Sequence, residues 1–183
     1  MSKPSFLLHV CCGPCSIAIF EELSQNFSVT AHFYNPNIHP AEEYAKRKNE
    51  VLRICQDLNI PVVEEEYNTK HWFEKIVGLE DEPEGGTRCV ECFKMRLEQA
   101  AKYARDNGFE YFGTSLTSGR NKRAEIINPL GIQAGEKYGV KFFEEDWKKG
   151  GRQEMARQLI KQKNIYTQDY CGCVYSRLKK YPE

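Results

Sequence analysis

Apolar residues fall in short blocks along the chain, and their spacing alternates between two periods. Ser5–Val10, Val29–Tyr34, Pro61–Tyr67, Tyr111–Leu116 and Val140–Phe143 are brief runs rich in apolar and aromatic residues, and each predicts a strand. Between them the spacing widens to that of a helix. Ser16–Leu23 reads as the first. In the second, Tyr44, Val51, Leu52, Cys55 and Leu58 share one face, and Pro40 suits its first turn. Phe93–Asn107 places Phe93, Leu97, Ala100 and Ala104 together and stops at Gly108. Arg123–Tyr138 contains a fourth helix and Gln153–Gln162 a fifth. Strands alternating with helices predict an α/β fold, a mostly parallel five-stranded sheet covered on both faces. Residues 1–183 are expected to form one domain: no repeat interrupts the pattern, and the clearest loop, Glu80–Thr87, is too short to link two.

Composition narrows the class. With 40% hydrophobic and 28% charged residues, the chain is expected to be globular rather than disordered or fibrous. Phe6-Leu7-Leu8 is too short to span a membrane, and no secretory signal precedes it, so a cytoplasmic protein without a membrane partner is expected. The 26 basic residues balance the 26 acidic ones, which excludes a uniformly basic nucleic-acid binder. The charges are nevertheless segregated. Residues 62–91 carry nine acidic and three basic side chains, and the C-terminal segment 148–183 reverses that ratio. A basic segment can hold a polyanion, although a solvated lysine-rich face fits the same pattern.

Cysteine changes the picture most. Seven of the eight cysteines are grouped, as Cys11-Cys12-Gly13-Pro14-Cys15, Cys89-Val90-Glu91-Cys92 and Cys171-Gly172-Cys173; Cys55 stands alone and reads as a buried hydrophobe. Grouped cysteines in a chain of this class point to metal or redox chemistry. The first group sits at the carboxyl end of the first strand, the crevice where open α/β sheets bind ligands. A phosphate-binding loop often lies there, but neither glycine signature for one is present. Two C-x-x-C pairs fit a structural zinc site, and four thiolates of varied spacing fit an iron–sulfur cluster. The C-G-C pair could close a small, labile disulfide ring, ligate metal, or remain two inert thiols.

These residues resemble the QueH type of epoxyqueuosine reductase. The resemblance runs through Leu8-His9-Val10-Cys11-Cys12-Gly13-Pro14-Cys15, Phe33-Tyr34-Asn35-Pro36-Asn37-Ile38-His39-Pro40 with Glu43-Tyr44, and Arg88-Cys89-x-x-Cys92-Phe93-x-x-Arg96-Leu97. It continues through Thr114-Ser115-Leu116-Thr117, Asn121-Lys122 and Gln168-x-Tyr170-Cys171-Gly172-Cys173. It implies a Rossmann-like fold of the HUP or PP-loop-like kind. It also implies the last step of queuosine formation, in which the epoxide oxygen of epoxyqueuosine in a tRNA anticodon loop is removed. Carried over, Cys11, Cys12, Cys89 and Cys92 would bind a 4Fe-4S cluster, and Cys171 and Cys173 would form a redox-active disulfide recharged by an external electron donor. An extra iron beside the cluster is implied, with Cys15 its candidate ligand. His39 is a candidate proton donor, and Tyr34, Asn35, Arg88 and Arg96 are candidate substrate contacts. Two other functions compete: an iron–sulfur tRNA thiolase, which needs an ATP loop, and a zinc-stabilised RNA-binding module.

Overall fold

Along Ser5–His9 the apolar side chains alternate between two faces, as a strand buried on both sides requires. Phe6 and Leu8 enter one core and Leu7 enters the other. The computed structural model describes residues 2–181. This strand, β1, lies at the centre of a five-stranded parallel sheet with β2 (Ser28–Phe33), β3 (Val62–Glu64), β4 (Tyr111–Thr114) and β5 (Lys141–Phe142). The order is β3-β2-β1-β4-β5.

The helices are α1 (Gly13–Leu23), α2 (Ala41–Asp57), α3 (Thr69–Lys75), α4 (Thr87–Asp106), α5 (Ala124–Tyr138), α6 (Arg152–Gln162) and α7 (Val174–Lys180). Side chains from α1 and α2 pack on the Phe6 face, with Leu159 and Ile160 of α6 beside them. Those from α4 and α5 pack on the Leu7 face. Gly113 allows the close approach of β4 to β1, because a Cβ there would sit 2.8 Å from the Phe6 ring. The α/β fold with a parallel five-stranded sheet is therefore as expected.

Several boundaries differ from the expectation. Helix α1 starts at Gly13, so Cys15 lies within its first turn. Helix α4 starts at Thr87 rather than Phe93, because its first turns bury Arg88, Cys89 and Cys92 in place of aliphatic residues. This puts the C-x-x-C pair three residues apart on one helix face. Strand β3 ends at Glu64, short of the expected Tyr67; it is a half-exposed edge strand. Helices α3 and α7 bury one residue each, Trp72 and Ser176, and so leave no apolar stripe in the sequence. No helix among the described residues is long and apolar enough to cross a membrane.

Candidate active site and metal centre

The order of the strands reverses between β1 and β4: from β1 the chain moves outward through β2 and β3, then returns to β4 on the other side. At that switch point the loops leaving the two strands splay apart. The β1 loop carries Cys11 and Cys12, and the β4 loop carries Ser115, whose hydroxyl lies 3.9 Å from Cys11 Sγ. His9 anchors the junction, with Nδ1 3.0 Å from Thr114 Oγ1 and Nε2 3.2 Å from the Tyr34 carbonyl. Burial holds its pKa down to about 3, with the nearby Arg96 adding to the effect, so the ring stays neutral.

The sulfurs of Cys11, Cys12 and Cys15 all lie within 4.8 Å of one another. Cys11 and Cys12 are buried, with their sulfurs 3.7 Å apart. Hydrogen bonds from the Cys12 and Cys15 thiols pull the Cys11 pKa down, and the Lys122 ammonium, 3.8 Å from Cys11 Sγ, reinforces them. Burial drives Cys12 up, and the hydrogen bond to Cys11 drives Cys15 up to about 12. Gln168 closes the site, its Nε2 donating to Cys12 Sγ at 2.9 Å.

Cys89 and Cys92, both buried in the first turns of α4, lie outside that close group of three; Cys89 shares a buried cluster with Cys11 and Cys12, and Cys92 packs with Tyr34 and Cys173. Cys89 Sγ accepts the Gly85 N–H at 3.2 Å, and burial raises its pKa. Two cations, the buried Arg96 and the half-buried Lys122, balance the sulfurs. Burial disfavours the Arg96 charge, but Cys92, Cys11, Cys171 and Cys89 more than offset it. Lys122 is likewise opposed by burial and raised by Cys11, Cys171 and Cys15. Neither residue's charge was given this role from sequence; Lys122 had only a place in a motif.

Beside the thiols opens a cavity of about 1020 Å³. Cys15, Lys122, Tyr170 and Cys171 line it, with Arg120, Lys179 and Lys180 among its basic lining residues. No disulfide joins Cys171 to Cys173. Cys171 borders the cavity, whereas Cys173 is buried and its Sγ accepts the Ser176 N–H at the start of α7. Burial raises the Cys173 pKa to about 12.

The other candidates lie away from the cavity wall. His39 packs against Trp72 and Phe73, with Nδ1 2.9 Å from the Asn37 carbonyl. Burial lowers its pKa, so it is neutral near pH 7. Tyr34 Oη lies 3.2 Å from His71 Nδ1. Asn35 donates to the Val10 carbonyl and accepts from Arg96. Arg88 donates to the carbonyls of Leu79, Glu80 and Glu82 and stacks on Tyr175. Cys55 is fully buried in the core, as expected, with its pKa pushed to about 12.

The family model described as Epoxyqueuosine reductase QueH matches residues 6–179. Epoxyqueuosine reductase QueH of Histophilus somni (strain 129Pt) is 44% identical over 172 residues, covering 93% of this chain and 71% of that protein. Its counterpart from Acinetobacter baylyi (strain ATCC 33305 / BD413 / ADP1) is 45% identical over 172 residues, covering 93% and 79%. Among solved structures, the U34-tRNA thiolase NcsA from Methanococcus maripaludis with its 4Fe-4S cluster aligns with a TM-score of 0.57 at 12% identity, over 99% of this chain and 68% of that one. That likeness is one of fold. On the family match and the two relatives, the chain belongs to the epoxyqueuosine reductase QueH family.

Proposed function

We infer that this chain reduces epoxyqueuosine to queuosine in the anticodon loop of tRNA. The observation that carries the reading is the family match across residues 6–179. The site supports it with buried thiols, compensating cations and a cavity large enough to admit a nucleoside.

The donor set suits an iron–sulfur group. Soft thiolates are its usual ligands, and the buried Arg96 with the half-buried Lys122 offsets the negative charge such a group adds. Cys11, Cys12, Cys89 and Cys92 would hold a 4Fe-4S cluster, and Cys15 would hold an additional iron beside it. When bound, these supply single electrons and an electrophile for the epoxide oxygen. Ser115 and Gln168 orient the Cys11 and Cys12 sulfurs by hydrogen bonds.

Deoxygenation consumes two electrons and two protons: the epoxide C–O bonds break, a carbon–carbon double bond forms and water leaves. The Cys171 and Cys173 thiols store both electrons and both protons, and release them on forming a disulfide. An external donor then restores the dithiol. Cys171, on the cavity wall, is the thiol nearer the substrate. His39 takes part through its backbone, since its N–H donates to the Gly172 carbonyl at 2.7 Å.

The anticodon loop presents unstacked bases to the cavity, where Tyr170 offers a stacking surface. Phosphate contacts fall to exposed cations such as Arg120 and Lys179 rather than to every charge of the basic segment. Lys148 Nζ is spent on the carbonyls of Thr117 and Lys122, and Arg152 is spent on Glu22 and Glu145. Because tRNA is modified in the cytoplasm, that location follows from the same reading.

One distance favours a second reading. Four Zn–S bonds of about 2.3 Å in a tetrahedron space the sulfurs about 3.8 Å apart, and Cys11 and Cys12 stand at 3.7 Å. Anaerobically purified protein separates the two. Brown absorbance with iron and acid-labile sulfide supports the reductase, and a colourless protein with stoichiometric zinc supports the zinc module.

A further inference from the structure

We propose that Arg47 is a positioning residue that stabilises the dithiol form of Cys171 and Cys173, and thereby raises the reduction potential of that pair. The inference rests on reading those cysteines as the electron store. Arg47 belongs to α2, far from the C-terminal segment in sequence, and is 2% exposed. Its Nε donates to Glu43 Oε1 at 2.7 Å. Its other two nitrogens leave the helix altogether: Nη1 donates to the Cys171 carbonyl at 2.9 Å and Nη2 to the Tyr170 carbonyl at 3.1 Å. Glu43 completes the clamp by accepting the Tyr166 hydroxyl at 2.8 Å. A buried ion pair is therefore devoted to the backbone just before Gly172. The His39 N–H holds the next carbonyl, that of Gly172, and Ser176 Oγ accepts the Cys171 N–H at 3.2 Å.

These bonds fix a loop whose two thiols occupy different surroundings. Cys171 borders the cavity, and Cys173 packs with Tyr34, Trp72, Cys92 and Met95. Closing so small a ring, with one residue between the two cysteines, would bend the backbone at Gly172. Bending there pulls the carbonyls of residues 170 and 171 away from a guanidinium that has no water to replace them, and charge-assisted bonds are the costly ones to lose. The clamp thus favours the dithiol over the disulfide. A couple biased in this way is readily recharged by cellular thiols after each turnover.

The test is the potential of the pair in the full-length, anaerobically purified protein. Wild type, Arg47→Met and Arg47→Lys are equilibrated in glutathione buffers, alkylated, and the Cys171/Cys173 peptide is measured by mass spectrometry. In the oxidised state the two thiols have each lost a proton and an electron to form one S–S bond, and glutathione disulfide has been reduced to two thiols. Arg47→Met is expected to raise the equilibrium constant for the Cys171–Cys173 disulfide at least tenfold, a fall of about 30 mV. Arg47→Lys, which keeps the Glu43 pair but lacks the planar fork, is expected to fall between. Tyr166→Phe loosens Glu43 alone and shifts the potential the same way by less, which provides a reading if Arg47→Met does not fold. A thermal destabilisation of Arg47→Met with the wild-type potential overturns the inference and leaves the electron-store reading intact. A wild-type chain whose Cys171 and Cys173 never form a disulfide overturns both.

Discussion

Gly172→Ala is the sharpest steric perturbation of the redox loop. Gly172 has φ +122°, a region that residues with side chains rarely adopt, and forcing alanine there costs about 1–3 kcal/mol. The added Cβ would also stand 2.9 Å from Arg47 Nη1 and 3.1 Å from Ile38 Cγ1. The guanidinium cannot step aside freely, since it bonds Glu43 and two carbonyls at once. Losing one charge-assisted bond adds about 1.5–3 kcal/mol. The total, about 2.5–6 kcal/mol, falls on a segment that packs over the sheet's edge loops rather than on the sheet, so opening should be local. Native-state hydrogen exchange reads this directly at the His39 amide, which donates to the Gly172 carbonyl. Protection there should drop at least fiftyfold, by the conversion of about 1.4 kcal/mol per tenfold, while β1 and β4 amides keep theirs. Multiple-turnover deoxygenation should fall with it. Unchanged protection at His39 would refute the steric argument.

Serine replacements of Cys11, Cys12, Cys89 or Cys92 should each lower iron and sulfide together; unchanged ratios in all four remove them as ligands. Cys55→Ala should keep both at wild-type levels and cost about 1 kcal/mol of stability, a melting point about 2–4 °C lower; lost iron would make Cys55 a ligand. Replacing Arg120 and Lys179 by alanine should weaken tRNA binding and flatten its salt dependence by up to about 0.7 log units per lost contact. Lys148→Met, by contrast, should lower stability by orphaning the Thr117 and Lys122 carbonyls. Equal salt slopes for Arg120→Ala and wild type would remove that side chain from the interface.

The sheet was legible because its three inner strands bury apolar side chains in short, distinct runs, as Phe6, Leu7 and Leu8 do, and its edge strands β3 and β5 still carry half-buried apolar residues. The start of α4 was not, because its first two turns bury thiols and a guanidinium, which no apolar period registers. The cysteine groups were legible as chemistry, and placing the first at the end of β1 put Cys11, Cys12 and Cys15 together at the sheet's switch point. Charge was legible only as a sum. Nothing in the sequence tells that Arg152 is paired with Glu22, 130 residues away, while Arg120 stays exposed at the cavity. Arg47 reads as an outward polar position of α2 until the C-terminal segment, more than 120 residues later, folds over it.

The central claim is a reaction, and the product nucleoside tests it most directly. Anaerobically purified, iron-loaded protein is incubated with tRNA carrying epoxyqueuosine and a chemical reductant, and the digested nucleosides are analysed by mass spectrometry. The account predicts loss of one oxygen atom from the modified nucleoside, with queuosine as the product and no requirement for ATP. An epoxyqueuosine signal undiminished in the presence of intact cluster absorbance, or sulfur incorporated into the tRNA on addition of ATP, would contradict it.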